Sequence, residues 1–489
     1  MASGVQRFIR DVGWSFASLA ISAFAHFILR TFLARYLGTD DLGLYTLAFT
    51  VYSFGMIFAA VGIGAALIKY VAENKEDAAK IGIMVSSGTI TAFLIGSIVG
   101  LVLYASSSTI ANNFFDMPEL EKLLHIVAFA FPFIALEKAT LGFLNGKRLM
   151  SLFASINITQ NILTIIFTLI LVLLGCGLTG AVVGLVVPIC ICSLFSLFAI
   201  RTSLGKTTFE QYIPVTRTLL VFGVYVALTN GIGMLWGNMD SLMIGGFLSE
   251  EAVGLYAVAF LLSQVIQIPS LAIQIITTPT IATYWGKGDV GQIENMVNRM
   301  MKTVAIFIIP IVFLMVFLSH EIITLLFGEK FTPAVLPFQI LLIGGVFAAI
   351  LTTVGGTLSS TGYVKVLFKL SIAGLVLNMV FNLLLIPPFG ITGAAIATST
   401  STTLAVMFVF YLWQRLLNIR IHWEWFAKLF TFAALLMGTT YGLGIIVNSY
   451  VCILISFIVL VVTLLKYFVT KEDLRLIKII MGWAVDDSG

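Results

Sequence analysis

The chain has 489 residues, of which 60% are hydrophobic and only 10% are charged, and its formal net charge is +4. Soluble domains carry roughly 25% charged residues, so this chain has too little charge to cover a water-facing surface of its size. The composition excludes an ordinary soluble protein, and the small net charge gives no indication of a nucleic-acid partner.

Apolar runs of about 18 or more residues recur along the chain, which predicts membrane-spanning helices rather than the short alternating strands of a barrel. Segments rich in charge, Gly or Pro separate about fourteen such runs. The predicted spans in chain order are 12–37, 43–70, 80–105, 122–146, 150–174, 180–202, 216–247, 253–284, 297–319, 333–359, 364–386, 392–416, 425–447 and 449–469.

The connecting segments differ sharply in charge when they are assigned alternately to the two sides of the membrane. The side of both termini receives 23 of the 27 Lys and Arg residues, whereas the loops of the other side are short and acidic. By the positive-inside rule, both termini are predicted to be cytoplasmic. The chain is therefore expected to be a multi-pass protein of the cell membrane.

Two sequence patterns occur twice at nearly the same separation. Asp41–Tyr45 matches Ala252–Tyr256 at an offset of 211 residues, and Gly177–Ala181 matches Gly390–Ala394 at an offset of 213. This indicates duplication of a six-helix unit, and the even number of helices makes the two copies parallel in topology.

The repeat defines the predicted organisation, an all-α membrane protein with two pseudo-symmetric lobes. We predict a six-helix lobe over 1–205, a second six-helix lobe over 206–418, two additional membrane helices over 419–470 and a cytoplasmic tail over 471–489. Parallel repeats favour a site in a cleft between the lobes and transport by alternating access. A duplicated scaffold without transport is the alternative.

Two opposite charges occupy almost equivalent membrane positions in the two halves. Arg30 aligns with Ser241 under the offset of 211, one place from Asp240. A charge near the bilayer centre costs about 2.5–3.5 kcal/mol on insertion scales. Arg30 is predicted to attract an anionic headgroup, and Asp240 to balance it or to carry a coupling cation. The alternatives are snorkelling of Arg30 to the interface and a structural contact for Asp240.

A second charged pair, Glu137 and Lys138, lies in the inner half of the fourth span. Adjacent helical residues point about 100° apart, so one of them is expected to face the cavity and the other the interface. Uncharged polar residues follow helical spacing elsewhere, with interhelical hydrogen bonding as the alternative role. The full predicted set of cavity and substrate-binding residues is Arg30, Arg35, Asp240, Glu137, Lys138, Tyr225, Asn230, Gln264, Gln267, Gln274, Asn161 and Asn378.

Motifs for several kinds of chemistry are missing from the sequence. There is no phosphate-binding Gly-x-x-x-x-Gly-Lys-Ser/Thr loop, and the four histidines are scattered. No metal site, cofactor or catalytic constellation is predicted, so an enzyme is not expected.

Three segments resemble a known family. They are Arg35–Tyr45, Asp240–Ala259 and Asn382–Thr398, which are similar to the helix ends of polysaccharide-export flippases. The chain thereby resembles the polysaccharide-transporter branch of the multidrug/oligosaccharidyl-lipid/polysaccharide superfamily over essentially its whole length. The resemblance implies two six-helix lobes around a V-shaped cavity, in which cationic residues hold phosphate and glycan.

The resemblance also implies the cargo, polyprenyl-(pyro)phosphate-linked oligosaccharide flipped from the cytoplasmic to the outer leaflet. Expected partners are this lipid-linked substrate, membrane lipid and a coupling H⁺ or Na⁺, with no nucleic acid. One alternative is a cation-coupled multidrug or metabolite exporter of the same superfamily that uses Asp240 or Glu137. Another is a membrane-embedded glycosyltransferase, which the absence of a large outer loop disfavours.

Overall fold

The computed structural model describes residues 2–444 and 449–468, and every regular element within these ranges is helical. The predicted tail over 471–489 lies outside the described residues. The chain forms two compact units, Met1–Ala257 with Leu326–Lys330, and Val258–Leu325 with Phe331–Gly489. The boundary at 205/206 between the two predicted six-helix lobes stays a prediction.

The first unit consists of long helices joined by short turns. They are α1 (Ala2–Leu37), α2 (Thr39–Ala60), α3 (Ile63–Glu73), α4 (Ala78–Ser108), α5 (Pro118–Ala128), α6 (Ala130–Gly146), α7 (Met150–Leu171), α8 (Gly177–Ala199), α9 (Phe209–Phe247) and the first part of α10 (Glu250–Ser263).

Helix α6 lies at the centre of the first unit, where it packs against α3, α4 and α8. Its side chains Phe131 and Phe143 are among the largest fully buried ones. Small residues let the neighbouring backbones approach, as is common between membrane helices. At Gly96 of α4, a Cβ atom would lie only 2.5 Å from the carbonyl oxygen of Phe131.

The second unit is built around α14, which packs against α12 and α16. A close approach again involves glycine, since a Cβ on Gly344 would lie 2.4 Å from the Cβ of Ser399. The helices are α11 (Ile268–Gly286), α12 (Val290–Phe317), α13 (Ser319–Phe327), α14 (Val335–Val354), α15 (Thr357–Ser360), α16 (Val364–Leu412), α17 (Trp423–Gly444) and α18 (Ser449–Thr463).

Two very long helical runs break at equivalent glycines. Gly177 has φ 51° and ψ −138°, and Gly390, 213 residues later, has φ 58° and ψ −140°. These values lie outside the helical region and at a φ that favours glycine. The second sequence match therefore corresponds to the same backbone bend in both copies.

Within the described residues, ten helical runs are long and apolar enough to cross a membrane, or eleven if α5 and α6, bent by 42°, form one span. Two of the ten, Met150–Ala199 and Val364–Leu417, contain 50 and 54 residues. At 1.5 Å per residue each is more than about 70 Å long, enough for two crossings of a ~30 Å hydrocarbon core. The count of fourteen spans stays a prediction.

The connection to the last two helices is held by two side chains of α12. Glu294 accepts a hydrogen bond from the backbone N–H of Arg420 at 2.7 Å. Asn298 accepts from the N–H of His422 at 3.0 Å and donates to the carbonyl of Arg420 at 2.8 Å. This clamp fixes the extended segment before α17.

Candidate functional site

A cavity of about 360 Å³ lies within the first unit and is lined by residues of α2, α3, α6, α7 and α9. Its described walls are apolar except for one lysine and three asparagines. The polar lining consists of Lys138, Asn145, Asn157 and Asn230. An ammonium group with several amides among apolar side chains is suited to an anionic or hydroxyl-rich ligand.

Glycine residues allow the backbones of the helices that line the cavity to approach closely. Gly62, in the turn between α2 and α3, has φ 64°, and a Cβ there would lie 2.1 Å from the carbonyl oxygen of Gly223 on α9. Helices α3 and α6 cross at a second contact, where a Cβ on Gly64 would lie 2.4 Å from the carbonyl oxygen of Lys138. The backbone that carries Lys138 is therefore fixed by direct packing against α3.

Glu137 points away from the cavity into the interior of the first unit. Its side chain is 0% exposed, and it does not contribute to the cavity lining. Gln160 of α7 donates a hydrogen bond to Oε2 at 3.2 Å. The other oxygen, Oε1, is buried and has no hydrogen-bond partner among the described residues.

Other polar groups lie near this carboxyl. Thr140, one turn further along α6, shares a 2.7 Å hydrogen bond with Ser196 of α8. Tyr52 of α2 and Cys192 of α8 are the titratable neighbours on which the charge of Glu137 acts. Among the described residues, no group of three or more His, Cys, Asp or Glu is placed to hold a metal ion.

Arg30 lies half-buried on α1 beside aromatic side chains of α2. Its guanidinium carbon is 5.5 Å from the centroid of the Phe49 ring, and it interacts electrostatically with the buried Tyr45. Contact with an aromatic face stabilises a cation, and more so where water is excluded. Arg30 is not part of the cavity lining.

Asp240 is buried on α9 and accepts a hydrogen bond from the hydroxyl of Tyr256 on α10. Tyr256 is the residue that matches Tyr45 at the offset of 211. The tyrosine of the repeat therefore donates to Asp240 in one copy and lies in the electrostatic environment of Arg30 in the other. Like Arg30, Asp240 lies outside the cavity lining.

Three of the predicted residues lie at the surface of their unit. Arg35 is exposed and donates from Nε to the carbonyl oxygen of Leu326 at 2.8 Å. Tyr225 is 71% exposed. Gln264 is exposed in a short 3₁₀ turn between α10 and α11.

That 3₁₀ turn, Gln264–Gln267, interrupts the predicted eighth span just before Pro269, whose ring is accommodated at the start of α11. The three glutamines expected on one helical stripe therefore differ in environment. Gln267 accepts a hydrogen bond from Thr352 at 3.2 Å, and Gln274 lies against Gly355.

Two of the three predicted asparagines make side-chain hydrogen bonds, one between helices and one within α16 across its break at Gly390. Asn161 of α7 donates to Ser22 of α1 at 2.9 Å. Asn378, buried in the second unit, donates to Thr398 at 3.0 Å and accepts from Asn382 at 3.2 Å. These are contacts of the kind expected for structural amides in membrane helices.

The cavity also contains residues that were not in the predicted set. Asn145 and Asn157 line it, and Gln160 contacts Glu137. Asn157 and Gln160 lie three residues apart on α7, and Asn157 is four residues before Asn161. The spacing of this polar stripe is the sequence signal for Asn157 and Gln160, whereas Asn145 lies on α6 outside it.

A family model and a relative of known description match this chain in sequence. A family model described as "Polysaccharide biosynthesis protein" matches residues 32–336. The chain is 26% identical over 373 residues to the probable low-salt glycan biosynthesis flippase Agl15 of Haloferax volcanii, and the alignment covers 76% of each chain.

Solved structures share the fold. The lipid II flippase MurJ in an inward closed conformation matches with a TM-score of 0.73 at 17% identity, covering 97% of this chain and 99% of that one. An inward-facing multidrug resistance MATE family transporter matches with a TM-score of 0.65 at 16% identity, covering 82% and 97%. These likenesses confirm the predicted all-α polytopic membrane fold.

Proposed function

Because the chain belongs to the polysaccharide biosynthesis protein family, we propose that it flips polyprenyl-(pyro)phosphate-linked oligosaccharide from the cytoplasmic to the outer leaflet by alternating access. The relative from Haloferax volcanii is described as a probable glycan biosynthesis flippase. The product of such a step serves the synthesis of surface polysaccharide or glycoprotein.

The observation that carries this proposal is the cavity in the first unit. A phosphate or pyrophosphate in a site of low polarity needs a compensating cation, which Lys138 provides. Asn145, Asn157 and Asn230 supply amide donors and acceptors for phosphate oxygens or sugar hydroxyls. The volume of about 360 Å³ is at the low end for small-molecule sites, so it suits the headgroup and first sugars rather than the whole lipid.

Further predicted residues outside this cavity are proposed to take part in transport. Arg30 is an additional cation for the phosphate or glycan, and Asp240 balances its charge or carries the coupling cation. Gln264, Gln267, Gln274, Asn378 and Tyr225 are proposed to contact glycan during transport. Both termini are proposed to be cytoplasmic, with a coupling H⁺ or Na⁺ as the driving ion.

Deletion of the gene tests the function in cells. Lipid-linked glycan should accumulate on the cytoplasmic face and surface glycan should fall, with recovery on complementation by the wild-type chain but weaker recovery by Lys138→Met. Normal surface glycan in a deletion strain without a paralogue would contradict the proposal. Proteoliposomes loaded with a fluorescent polyprenyl pyrophosphate sugar test it directly through protection from an external quencher.

A cation-coupled multidrug or metabolite exporter is the second candidate, favoured by the two buried carboxyl groups Asp240 and Glu137. It predicts efflux of cationic dyes that collapses in Asp240→Asn or Glu137→Gln and is unaffected by removal of lipid-linked glycan. No catalytic role is proposed; formation of a glycosidic bond by the purified protein would contradict a pure transport function.

A further inference from the structure

Two consecutive residues of α6 carry opposite formal charges and face different surroundings. Lys138 lines the cavity of the first unit, whereas Glu137 is 0% exposed in the interior of the same unit. The turn of about 100° per residue separates their directions but keeps their Cα atoms within about 3.8 Å. The charge of one therefore acts on the other across the wall of the cavity.

The Glu137 carboxyl is incompletely paired in this position. Gln160 donates to Oε2 at 3.2 Å, and Oε1 is buried without a hydrogen-bond partner among the described residues. An ionised carboxylate buried in this way loses hydration that the protein does not replace. A protonated carboxyl carries no charge, so its burial costs much less.

Among the described titratable groups around Glu137, Lys138 is the one that carries a charge. Tyr52 from α2 and Cys192 from α8 lie in the electrostatic environment of Glu137, and both are uncharged at neutral pH. Helix α5 carries Glu119, Glu121, Lys122 and His125, but the described faces of α3, α4, α5 and α7 add no titratable group that acts on this carboxyl. The protonation state of Glu137 therefore decides whether the positive charge of Lys138 is locally offset.

We propose that Glu137 is a proton-binding site coupled to the cavity, so that a proton is taken up from solvent onto its carboxyl when Lys138 binds an anionic headgroup. This inference rests on the proposed function and adds to it a proton whose binding is linked to that of the headgroup. An ionised Glu137 competes with the headgroup for the charge of Lys138, and protonation removes that competition. Because linkage is reciprocal, headgroup binding favours protonation to the same extent that protonation favours binding. Release of the headgroup returns the proton to solvent.

The test is headgroup binding by the purified full chain in phosphatidylcholine nanodiscs, with farnesyl pyrophosphate as the probe. Affinity is measured by calorimetry between about pH 5 and about pH 8, in buffers of different ionisation enthalpy that count protons. The probe itself titrates, so the quantity of interest is the difference between wild type and Glu137→Gln. Glu119→Gln, an exposed substitution on α5, is the matched control.

We expect the wild type and Glu119→Gln to gain about 5- to 150-fold in affinity as the pH falls, beyond any change seen in Glu137→Gln. Proton uptake on binding should also be larger in these two proteins than in Glu137→Gln. If Glu137→Gln does not fold, Glu137→Met gives the same comparison.

Identical pH dependence and proton uptake in wild type and Glu137→Gln would overturn this inference while leaving headgroup binding intact. Absence of farnesyl pyrophosphate binding at every pH would overturn the headgroup site itself and this inference with it. The two failures are thus distinguishable in one experiment.

Discussion

Gly43 and Gly254 lie in direct backbone contact where α2 meets α10. A Cβ on Gly43 would lie 1.8 Å from the carbonyl oxygen of Glu250, and a Cβ on Gly254 would lie 2.0 Å from that of Thr39. Gly43 and Gly254 are 211 residues apart, as are Thr39 and Glu250. The contact is therefore locally two-fold symmetric, and equivalent glycines of the repeat form it.

We predict that Gly43→Ala or Gly254→Ala will force the two helices apart. Overpacking of this kind typically lowers the free energy of unfolding by about 1–3 kcal/mol. Here the added methyl group would meet backbone atoms, which cannot rotate away as a side chain can. Thermal unfolding in detergent should show a lowered midpoint and flipping should decrease. Gly438→Ala is the control, because nothing lies within 4 Å of a Cβ there and the change favours helix. An unchanged midpoint in both contact variants would contradict the described crossing.

The Tyr256–Asp240 hydrogen bond is predicted to stabilise the first unit. Tyr256→Phe removes the donor to a buried carboxyl and should cost about 1.5–3 kcal/mol, the usual range for hydrogen bonds to charged groups. Tyr441→Phe removes a hydroxyl from a side chain that is 71% exposed and should have little effect. Equal unfolding midpoints for the two variants would show that the hydrogen bond does not contribute.

Substitution of Lys138 is predicted to weaken binding of the anionic headgroup. Lys138→Met keeps an unbranched side chain only one atom shorter but removes the charge, which should lower the affinity for farnesyl pyrophosphate about tenfold or more, with less dependence on salt. Lys138→Arg should retain most of the affinity. Lys122→Gln, an exposed change outside the cavity, is the matched control. Wild-type affinity in Lys138→Met would exclude the cavity as the headgroup site.

The membrane orientation can be tested by cysteine labelling. In a background without the four native cysteines, Glu251→Cys should react with an impermeant maleimide in intact cells, because its loop is predicted to be outside. Lys287→Cys should react only after permeabilisation. Both side chains are exposed, so access to the reagent depends on the side of the membrane. The reverse pattern would show that the termini are extracytoplasmic.

Much of the fold followed from apolar periodicity and from the repeat. The resemblance to the polysaccharide-transporter branch is confirmed by the family match, and the Gly177 pattern marked a bend that recurs at Gly390. These features are local or periodic, so the sequence carries them directly. The number of membrane spans is harder to predict from the sequence, because a bent helix and two separate helices have the same apolar content.

The site could be predicted only in part, because helical spacing gives the direction of a side chain but not its neighbour. The sequence placed Glu137 and Lys138 in different directions, yet only packing shows that Lys138 reaches the cavity and Glu137 the interior. Likewise, the partner of Asp240 is a tyrosine on the next helix. The expected glutamine stripe changes because a 3₁₀ turn replaces α-helical spacing before Pro269.

The clamp on α12 has an evolutionary consequence. Glu294 and Asn298 hold the segment before α17 through the peptide groups of Arg420 and His422 rather than through their side chains. Almost any amino acid other than proline can offer the same N–H groups, so mutations can accumulate at 420 and 422 without loss of the attachment. The attachment of the terminal helix pair therefore depends on the side chains at 294 and 298 and tolerates replacement of those at 420 and 422.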